Sequence, residues 1–197
     1  MTRNATARLF VAVDLPEEVR ERMNGWARAA LSGLNPRTPI RVLDAELLHV
    51  TLCFLGSRPV GEIDPTAAKL TACGGSAGEL SLGAPLWLPT RRPRALAVEV
   101  RDERGALADL QRAVVRAVGD TSGGEPGNDG STDGPRTHRR FHPHVTVARM
   151  RGGAAPRKRE LSATPSLSFI PSELVLYRSW LSPDGARYEA IASHVIG

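Results

Sequence analysis

The sequence predicts an α+β protein of two pseudo-symmetric lobes, each a largely antiparallel sheet with helices on its outer side, and a cleft between the lobes. The order strand, helix, loop, strand occurs twice in the 197 residues. The second strand of each repeat contains the pattern His-x-Thr, first at His49 and again at His144. Near the C-terminus, turn residues separate further strand patterns, which favours antiparallel pairing. We therefore expect residues 1–197 to form one bilobal domain.

The first repeat begins with a strand and a helix. Residues 8–14 (RLFVAVD) form a short apolar run that is typical of a buried strand. Acidic residues from Glu17 onward favour the first turn of a helix, and apolar residues at helical spacing extend it to about Leu31. We expect Asp14 to cap this helix and Gly33 to end it.

The remaining elements follow from the same kind of pattern. Residues 62–73 predict a second, weaker helix, and residues 80–88 predict a strand despite Pro85. The opening pattern then returns as a strand over residues 94–100 and a helix over residues 104–118. One stripe of that last helix is apolar; it contains Leu107, Leu110, Val114 and Val118.

Residues 119–137 differ from the rest of the chain in composition. They contain six glycines, two prolines, four acidic residues and no aliphatic residue. Such a segment cannot bury enough apolar surface to offset the entropy lost on ordering. We expect a flexible low-complexity insertion at the surface.

Three strands are predicted after the second His-x-Thr pattern. Residues 167–170, 174–181 and 188–195 are rich in apolar and β-branched residues. The sequence Ser-Pro-Asp-Gly at residues 182–185 provides turn chemistry between the last two. These two strands should therefore form a hairpin.

The two His-x-Thr patterns place the same chemical groups on one face of a strand. Side chains alternate across a strand, so His49 and Thr51 share a face opposite the apolar residues between them. His144 and Thr146 repeat the arrangement. One such pattern is more often structural than catalytic. Two copies offer a pair of imidazoles, which is the minimum for acid–base chemistry near neutral pH.

The composition permits a polyanionic partner. The formal net charge is +5, and nearly all the positive charge is arginine, since Lys69 and Lys158 are the only lysines. A basic protein favours nucleic acid, although a general preference for arginine explains the charge equally well. Candidate contacts to a phosphate backbone are Arg91, Arg92, Arg94, Arg139 and Arg140.

The cysteines and the apolar runs of the sequence indicate the cellular compartment of the protein. The two cysteines, Cys53 and Cys73, form neither a C-x-x-C motif nor a metal-type spacing, so we expect a reducing cytoplasm. The apolar run near the N-terminus is too short for a signal peptide, and no run is long enough to cross a membrane. We expect a cytoplasmic monomer.

Several ordered motifs resemble one family. The chain is similar to the 2H phosphoesterases and, within them, to the RNA 2′,3′-cyclic phosphodiesterases, also called 2′-5′ RNA ligase-like proteins. The motifs appear in the family's order over nearly the whole chain. They are residues 8–13 with Leu15-Pro16, residues 48–52 with 54–56, residues 141–149, residues 176–179 and residues 185–188.

The resemblance implies an activity and a set of site residues. It implies hydrolysis of RNA 2′,3′-cyclic phosphate ends, or of nucleoside cyclic phosphates, to 2′-phosphomonoesters without metal or cofactor, with reversible 2′-5′ ligation as a related reaction. His49 would donate a proton to the leaving 3′ oxygen and His144 would accept one from water, an assignment that the residues alone do not make. Thr51 and Thr146 would hold non-bridging phosphate oxygens.

The family pattern also places an arginine at Arg149, as a substrate-binding residue. Strict alternation along the strand turns this side chain away from His144 and Thr146. A β-bulge or a bridging ion pair would reconcile the two expectations.

Three alternatives remain open at this point. The chain could be a non-catalytic module that binds RNA ends, or a 2H enzyme that acts on another cyclic nucleotide. A metal site at His138, His142 and His144 is a weaker alternative, because no carboxylate or thiolate lies near them in the sequence.

Overall fold

The computed structural model describes residues 5–34, 39–118, 141–150, 161–182 and 185–197. Nine strands and three α-helices lie within these residues. In chain order they are β1 (Thr6–Asp14), α1 (Glu17–Ser32), β2 (Ile40–Val42), β3 (His49–Pro59), α2 (Ile63–Thr71), β4 (Leu80–Leu88), β5 (Ala95–Arg101), α3 (Ala106–Val118), β6 (His144–Met150), β7 (Ser168–Phe169), β8 (Glu173–Ser182) and β9 (Gly185–Val195).

All nine strands belong to one sheet in which the described pairings are antiparallel. The order is β7-β4-β5-β6-β3-β1-β8-β9, and β2 lies beside β6. The halves β7-β4-β5-β6 and β3-β1-β8-β9 join where Val50 of β3 pairs with Val145 of β6. The predicted α+β class with two largely antiparallel lobes is confirmed, and the lobes share a continuous sheet.

The core lies on one face of this sheet, beneath α1 and α3. In α1 the buried residues recur every four positions, at Val19, Met23, Ala27 and Leu31, which is the spacing of one helix face. The helix α1 contacts β2 and β6, whereas α3 contacts β3. Each helix therefore packs on the histidine strand of the other repeat, which leaves the opposite face of the sheet available for a site.

The helix ends depart from the sequence prediction at Asp14. The residue that precedes α1 is Pro16, and the helix has no side-chain cap. Asp14 is the last residue of β1, and its side chain is directed to Tyr177 instead of to the helix. Gly33 does end the helix, in an ordinary right-handed conformation with φ of −82°.

Pro85 lies within β4, as predicted, and the register of β4 against β5 shifts between Leu82 and Pro85 because proline has no N–H to donate. The predicted insertion at residues 119–137 lies outside the described residues. Among the helices that the structure describes, none has the length and apolar character needed to span a bilayer.

Candidate active site

The two histidine strands have the same register against their outer neighbours. Both pair with the first strand of their own repeat, β3 with β1 and β6 with β5. Directly paired residues on adjacent strands point to the same face. In one half the pairs are Asp14–His49, Val13–Val50 and Ala12–Thr51, and in the other they are Glu99–His144, Val98–Val145 and Ala97–Thr146.

Each histidine strand then contains a bulge at the same position. Leu52 of β3 is an extra residue between the pairs at Thr51 and Cys53, and Val147 of β6 is the extra residue between Thr146 and Ala148. An extra residue shifts the alternation of all later side chains to the other face. The duplication therefore extends to the irregularities of the strands.

The bulge in β6 places Arg149 on the histidine face. Arg149 pairs with Ala95, which lies on the same face of β5 as Ala97, the partner of Thr146. Without the bulge at Val147, Arg149 would point toward the core. The bulge is the arrangement that reconciles the family pattern with strand alternation.

Phe54 occupies the equivalent position after the bulge in β3. It pairs with Phe10 of β1, and its side chain is 70% exposed. One half of the site therefore presents an aromatic ring where the other half presents a guanidinium. This difference breaks the symmetry between the two repeats.

Backbone groups of both bulges are hydrogen-bonded. The carbonyl of Val147 accepts a hydrogen bond of 2.9 Å from the N–H of Leu43. The carbonyl of Leu52 accepts one of 3.5 Å from the side-chain amide of Gln111 in α3. These hydrogen bonds provide partners for carbonyl groups that the irregular strand pairing leaves without one.

Both imidazoles are held in the same way. Nδ1 of His49 lies 2.8 Å from the carbonyl oxygen of Leu47, and Nδ1 of His144 lies 2.8 Å from that of His142. A carbonyl can only accept, so Nδ1 carries the hydrogen in both rings. The Nε2 atom of each neutral ring is thereby the one that can accept a proton.

Aromatic residues surround His49 and change its acidity. Its ring centroid lies 5.0 Å from that of Phe10, 5.8 Å from that of Tyr177 and 5.4 Å from that of Tyr188. Burial lowers the pKa of His49 to about 4, even though the bond to the Leu47 carbonyl opposes the change. Electrostatic interactions with Arg149 and His144 lower it further. In the unliganded protein His49 is neutral at pH 7.

The carboxyl groups beside the two histidines differ in their partners. Burial raises the pKa of Asp14, and its Oδ1 accepts a hydrogen bond of 2.7 Å from the hydroxyl of Tyr177. Glu99 lies within 3.9 Å of Arg101 in an exposed ion pair. His49 is thus packed among aromatic rings beside a half-buried carboxyl, whereas the carboxyl beside His144 takes part in an exposed ion pair.

The other candidate residues from the sequence are scattered or outside the described residues. His142 is exposed, and its backbone carbonyl, not its ring, contacts His144. Arg91 and Arg92 are exposed in the β4–β5 connection, whereas His138 and residues 139–140 are not described. No group of three potential metal ligands occurs among the residues that are described.

Sequence reasoning misses the aromatic residues around His49. Phe10, Tyr177 and Tyr188 lie in motifs that resemble the family, but nothing in their local pattern indicates that three separate strands bring them together. It also assigns Asp14 to a helix cap. The equivalence of Asp14 and Glu99, acidic residues at or near the end of the first strand of each repeat, is the sequence signal that places a carboxyl beside each histidine.

Two curated relatives share the sequence over most of this chain. An RNA 2′,3′-cyclic phosphodiesterase of Geobacillus stearothermophilus is 31% identical over 190 residues, which are 93% of this chain and 55% of the relative. The RNA 2′,3′-cyclic phosphodiesterase of Escherichia coli K12 is 27% identical over 194 residues, 92% of each chain. This chain thus spans about half the length of the first relative and nearly all of the second. No family model matches the chain.

Solved structures show the same fold. E. coli LigT, in a crystal structure with 3′-AMP, superimposes with a TM-score of 0.72 over 98% of this chain and 99% of LigT, at 23% identity. The protein TT0787 of Thermus thermophilus superimposes with a TM-score of 0.70 over 95% of this chain and 97% of that protein, at 28% identity. The likeness extends over both halves of the sheet.

Proposed function

We propose that the chain is a 2H phosphoesterase of the RNA 2′,3′-cyclic phosphodiesterase family, and that it hydrolyses 2′,3′-cyclic phosphate ends of RNA to 2′-phosphomonoesters. One observation carries the proposal. Two imidazoles lie on adjacent strands that pair at Val50 and Val145, and both hold their Nδ1 hydrogen on a backbone carbonyl. This leaves two Nε2 atoms for one substrate.

The proposed reaction is an in-line displacement at phosphorus. Nε2 of His144 accepts a proton from water as the water oxygen forms a bond to phosphorus. The bond from phosphorus to the 3′ oxygen breaks, and that oxygen takes a proton from Nε2 of His49. The 2′ oxygen keeps the phosphate, and each proton transfer contributes roughly 10²–10⁴-fold.

The assignment of His49 as the acid requires substrate to change its protonation. Burial holds His49 neutral in the free protein. A cyclic phosphate diester carries one negative charge, and an opposite charge beside an imidazole favours its protonated form. Bound substrate therefore raises the pKa of His49 toward the working pH.

Three further residues are proposed to hold the phosphate. Thr51 and Thr146 are half-buried, lie on the histidine face and offer hydroxyl donors to the non-bridging oxygens as these gain charge. Arg149 adds a full positive charge beside His49. The exposed ring of Phe54 is suited to stacking on a base.

Proton transfer and charge stabilisation are all supplied by these side chains, so we propose that neither metal nor cofactor takes part. Cys53 and Cys73 are thiols that form no disulfide, which fits the proposed reducing cytoplasm. A monomeric state remains a prediction.

Turnover of cyclic-phosphate ends tests the proposal. The protein is incubated with nucleoside 2′,3′-cyclic monophosphates and with a short RNA ending in a 2′,3′-cyclic phosphate, and the products are identified by ³¹P NMR. We expect 2′-phosphomonoesters from both, with the same rate in excess EDTA. Binding without product would identify a non-catalytic module, and turnover of 3′,5′-cyclic nucleotides alone would identify a different substrate. Loss of activity in EDTA, restored by a divalent ion, would contradict the metal-free mechanism.

A further inference from the structure

The short strand β2 places a second arginine on the histidine face. Ile40 and Val42 pack against the core, so Arg41 between them points to the opposite face. Arg41 pairs directly with Arg149 of β6. A strand of three residues gives no periodic signal, so the sequence alone does not indicate the face of Arg41.

Two like charges directly opposite each other on adjacent strands destabilise a sheet. Carboxylates neutralise the positive charge of this pair only in part. Arg41 lies 3.6 Å from Asp44, and Asp44 also lies within 3.9 Å of Arg28. Arg149 has no ion-pair partner in the part of the chain that the structure describes. The pair Arg41–Arg149 therefore carries excess positive charge that an anion would neutralise.

The position of the pair relates it to the proposed reaction. β2 and β3 lie one after the other along the same edge of β6, at Arg149 and Val145 respectively. A path along this edge therefore passes His49, then Arg149, then Arg41. Arg149 is beside the imidazole, and Arg41 is one strand farther from it.

We propose that Arg41 binds the internucleotide phosphate that precedes the terminal nucleotide, so that the site prefers an RNA end to a nucleoside cyclic monophosphate. The inference rests on the proposed function. The cyclic phosphate is held by the two histidines, the two threonines and Arg149, and a mononucleotide has no second phosphate for Arg41. The ion pair with Asp44 is exposed, and exposed pairs contribute little free energy, so RNA can replace it.

The test compares two substrates that differ by one nucleotide, so that only the longer one has an internucleotide phosphate. The kcat/KM of Arg41→Ala and of the unmodified protein is measured with a nucleoside 2′,3′-cyclic monophosphate and with a dinucleotide that ends in the same cyclic nucleotide. We expect a loss of about tenfold for the dinucleotide and less than about twofold for the mononucleotide. Arg41→Lys should keep part of the preference, because it keeps the charge.

Three controls separate a phosphate contact from a structural effect. Asp44→Asn removes the ion pair but leaves the Arg41 guanidinium available to RNA, so it should not lower activity on the dinucleotide. Arg28→Ala removes the other arginine that contacts Asp44 and should not change kcat/KM for either substrate. The dependence of log kcat/KM for the dinucleotide on log salt should lose about one unit of slope in Arg41→Ala.

A loss that is equal for both substrates, or that Asp44→Asn reproduces, would overturn the inference. Dissociation constants of the reaction products, a nucleoside 2′-phosphate and a dinucleotide with a terminal 2′-phosphate, give a second measurement that needs no turnover. If the unmodified protein turns over neither substrate, the proposed function fails. The role of Arg41 is then tested by these dissociation constants alone. If Arg41→Ala weakens the binding of both products equally, or weakens the binding of neither, the inference is wrong.

Discussion

Val50 of β3 lies opposite Val145 of β6, and this pair is the centre about which the two halves of the site are related. Because the strands are antiparallel, the residue before one valine faces the residue after the other. His49 therefore lies opposite Thr146, and His144 opposite Thr51, across the two strands. Each half of the proposed phosphate site therefore combines an imidazole from one repeat with a hydroxyl from the other, so both repeats are needed.

The first prediction concerns the two imidazoles. His49→Gln and His144→Gln should each lower kcat by at least about 10²-fold, because both proton transfers belong to one displacement. The double variant should lose little more than either single variant, since groups that act as a unit are not additive. His194→Gln, in β9 opposite Leu174, is the matched control and should retain full activity. Substantial turnover by His49→Gln would contradict the two-histidine mechanism.

The second prediction concerns the pH dependence of turnover. Turnover that needs one protonated and one neutral imidazole has its acidic limb at the lower of the two pKa values, which kcat/KM reports for the free enzyme. Burial lowers the pKa of His49 to about 4, so His49 sets that limb. We therefore expect that limb well below the ordinary range of histidine. The corresponding limb of kcat should lie at higher pH, because bound phosphate favours protonated His49. Identical acidic limbs in the two profiles would show that substrate does not change the protonation of His49.

The third prediction concerns stability. The pKa of His49 falls from 6.5 in the unfolded chain to about 4 in the fold, so below pH 6.5 the unfolded state binds a proton that the folded state does not. The contribution of His49 to the free energy of unfolding is therefore fully present above pH 6.5. It decreases as the pH falls toward 4, by about 3 kcal/mol in total. Urea unfolding of the protein and of His49→Gln at several pH values isolates this term. The difference between their unfolding free energies should change with pH in that window, and a constant difference would refute the lowered pKa.

The fourth prediction concerns Tyr177 and Asp14. Tyr177→Phe leaves the half-buried carboxyl of Asp14 without its hydrogen bond, which should cost about 1–3 kcal/mol. That bond lowers the pKa of Asp14, against burial, which raises it. Its loss therefore raises the pKa further, and the destabilisation should grow as the pH rises and the carboxyl ionises. Thermal unfolding at acidic and neutral pH measures this difference.

Tyr188→Phe is the control for that experiment. Tyr188 also contacts His49 through its ring, and no hydrogen bond of its hydroxyl occurs within the described residues. We expect a change below about 0.5 kcal/mol. Equal destabilisation by both variants would show that ring packing, and not the bond to Asp14, stabilises this region.

Much of the fold could be predicted from local patterns. The helix predicted over residues 104–118 is α3 (Ala106–Val118), and that predicted over residues 62–73 is α2 (Ile63–Thr71). The two strands predicted over residues 174–181 and 188–195 are β8 and β9, although β9 begins earlier, at Gly185. These predictions succeed because helical and strand periodicities are local properties that show which face of an element is apolar.

What the sequence by itself determined is the repeated order of elements and the His-x-Thr pair on one face of each histidine strand. Tertiary structure alone decided the face of Arg149 and Arg41 and the acidity of His49. A bulge depends on how a neighbouring strand pairs, and the face of every later residue depends on the bulge. The pKa of His49 depends on burial among rings from β1, β8 and β9, which are distant in sequence and adjacent only in the sheet.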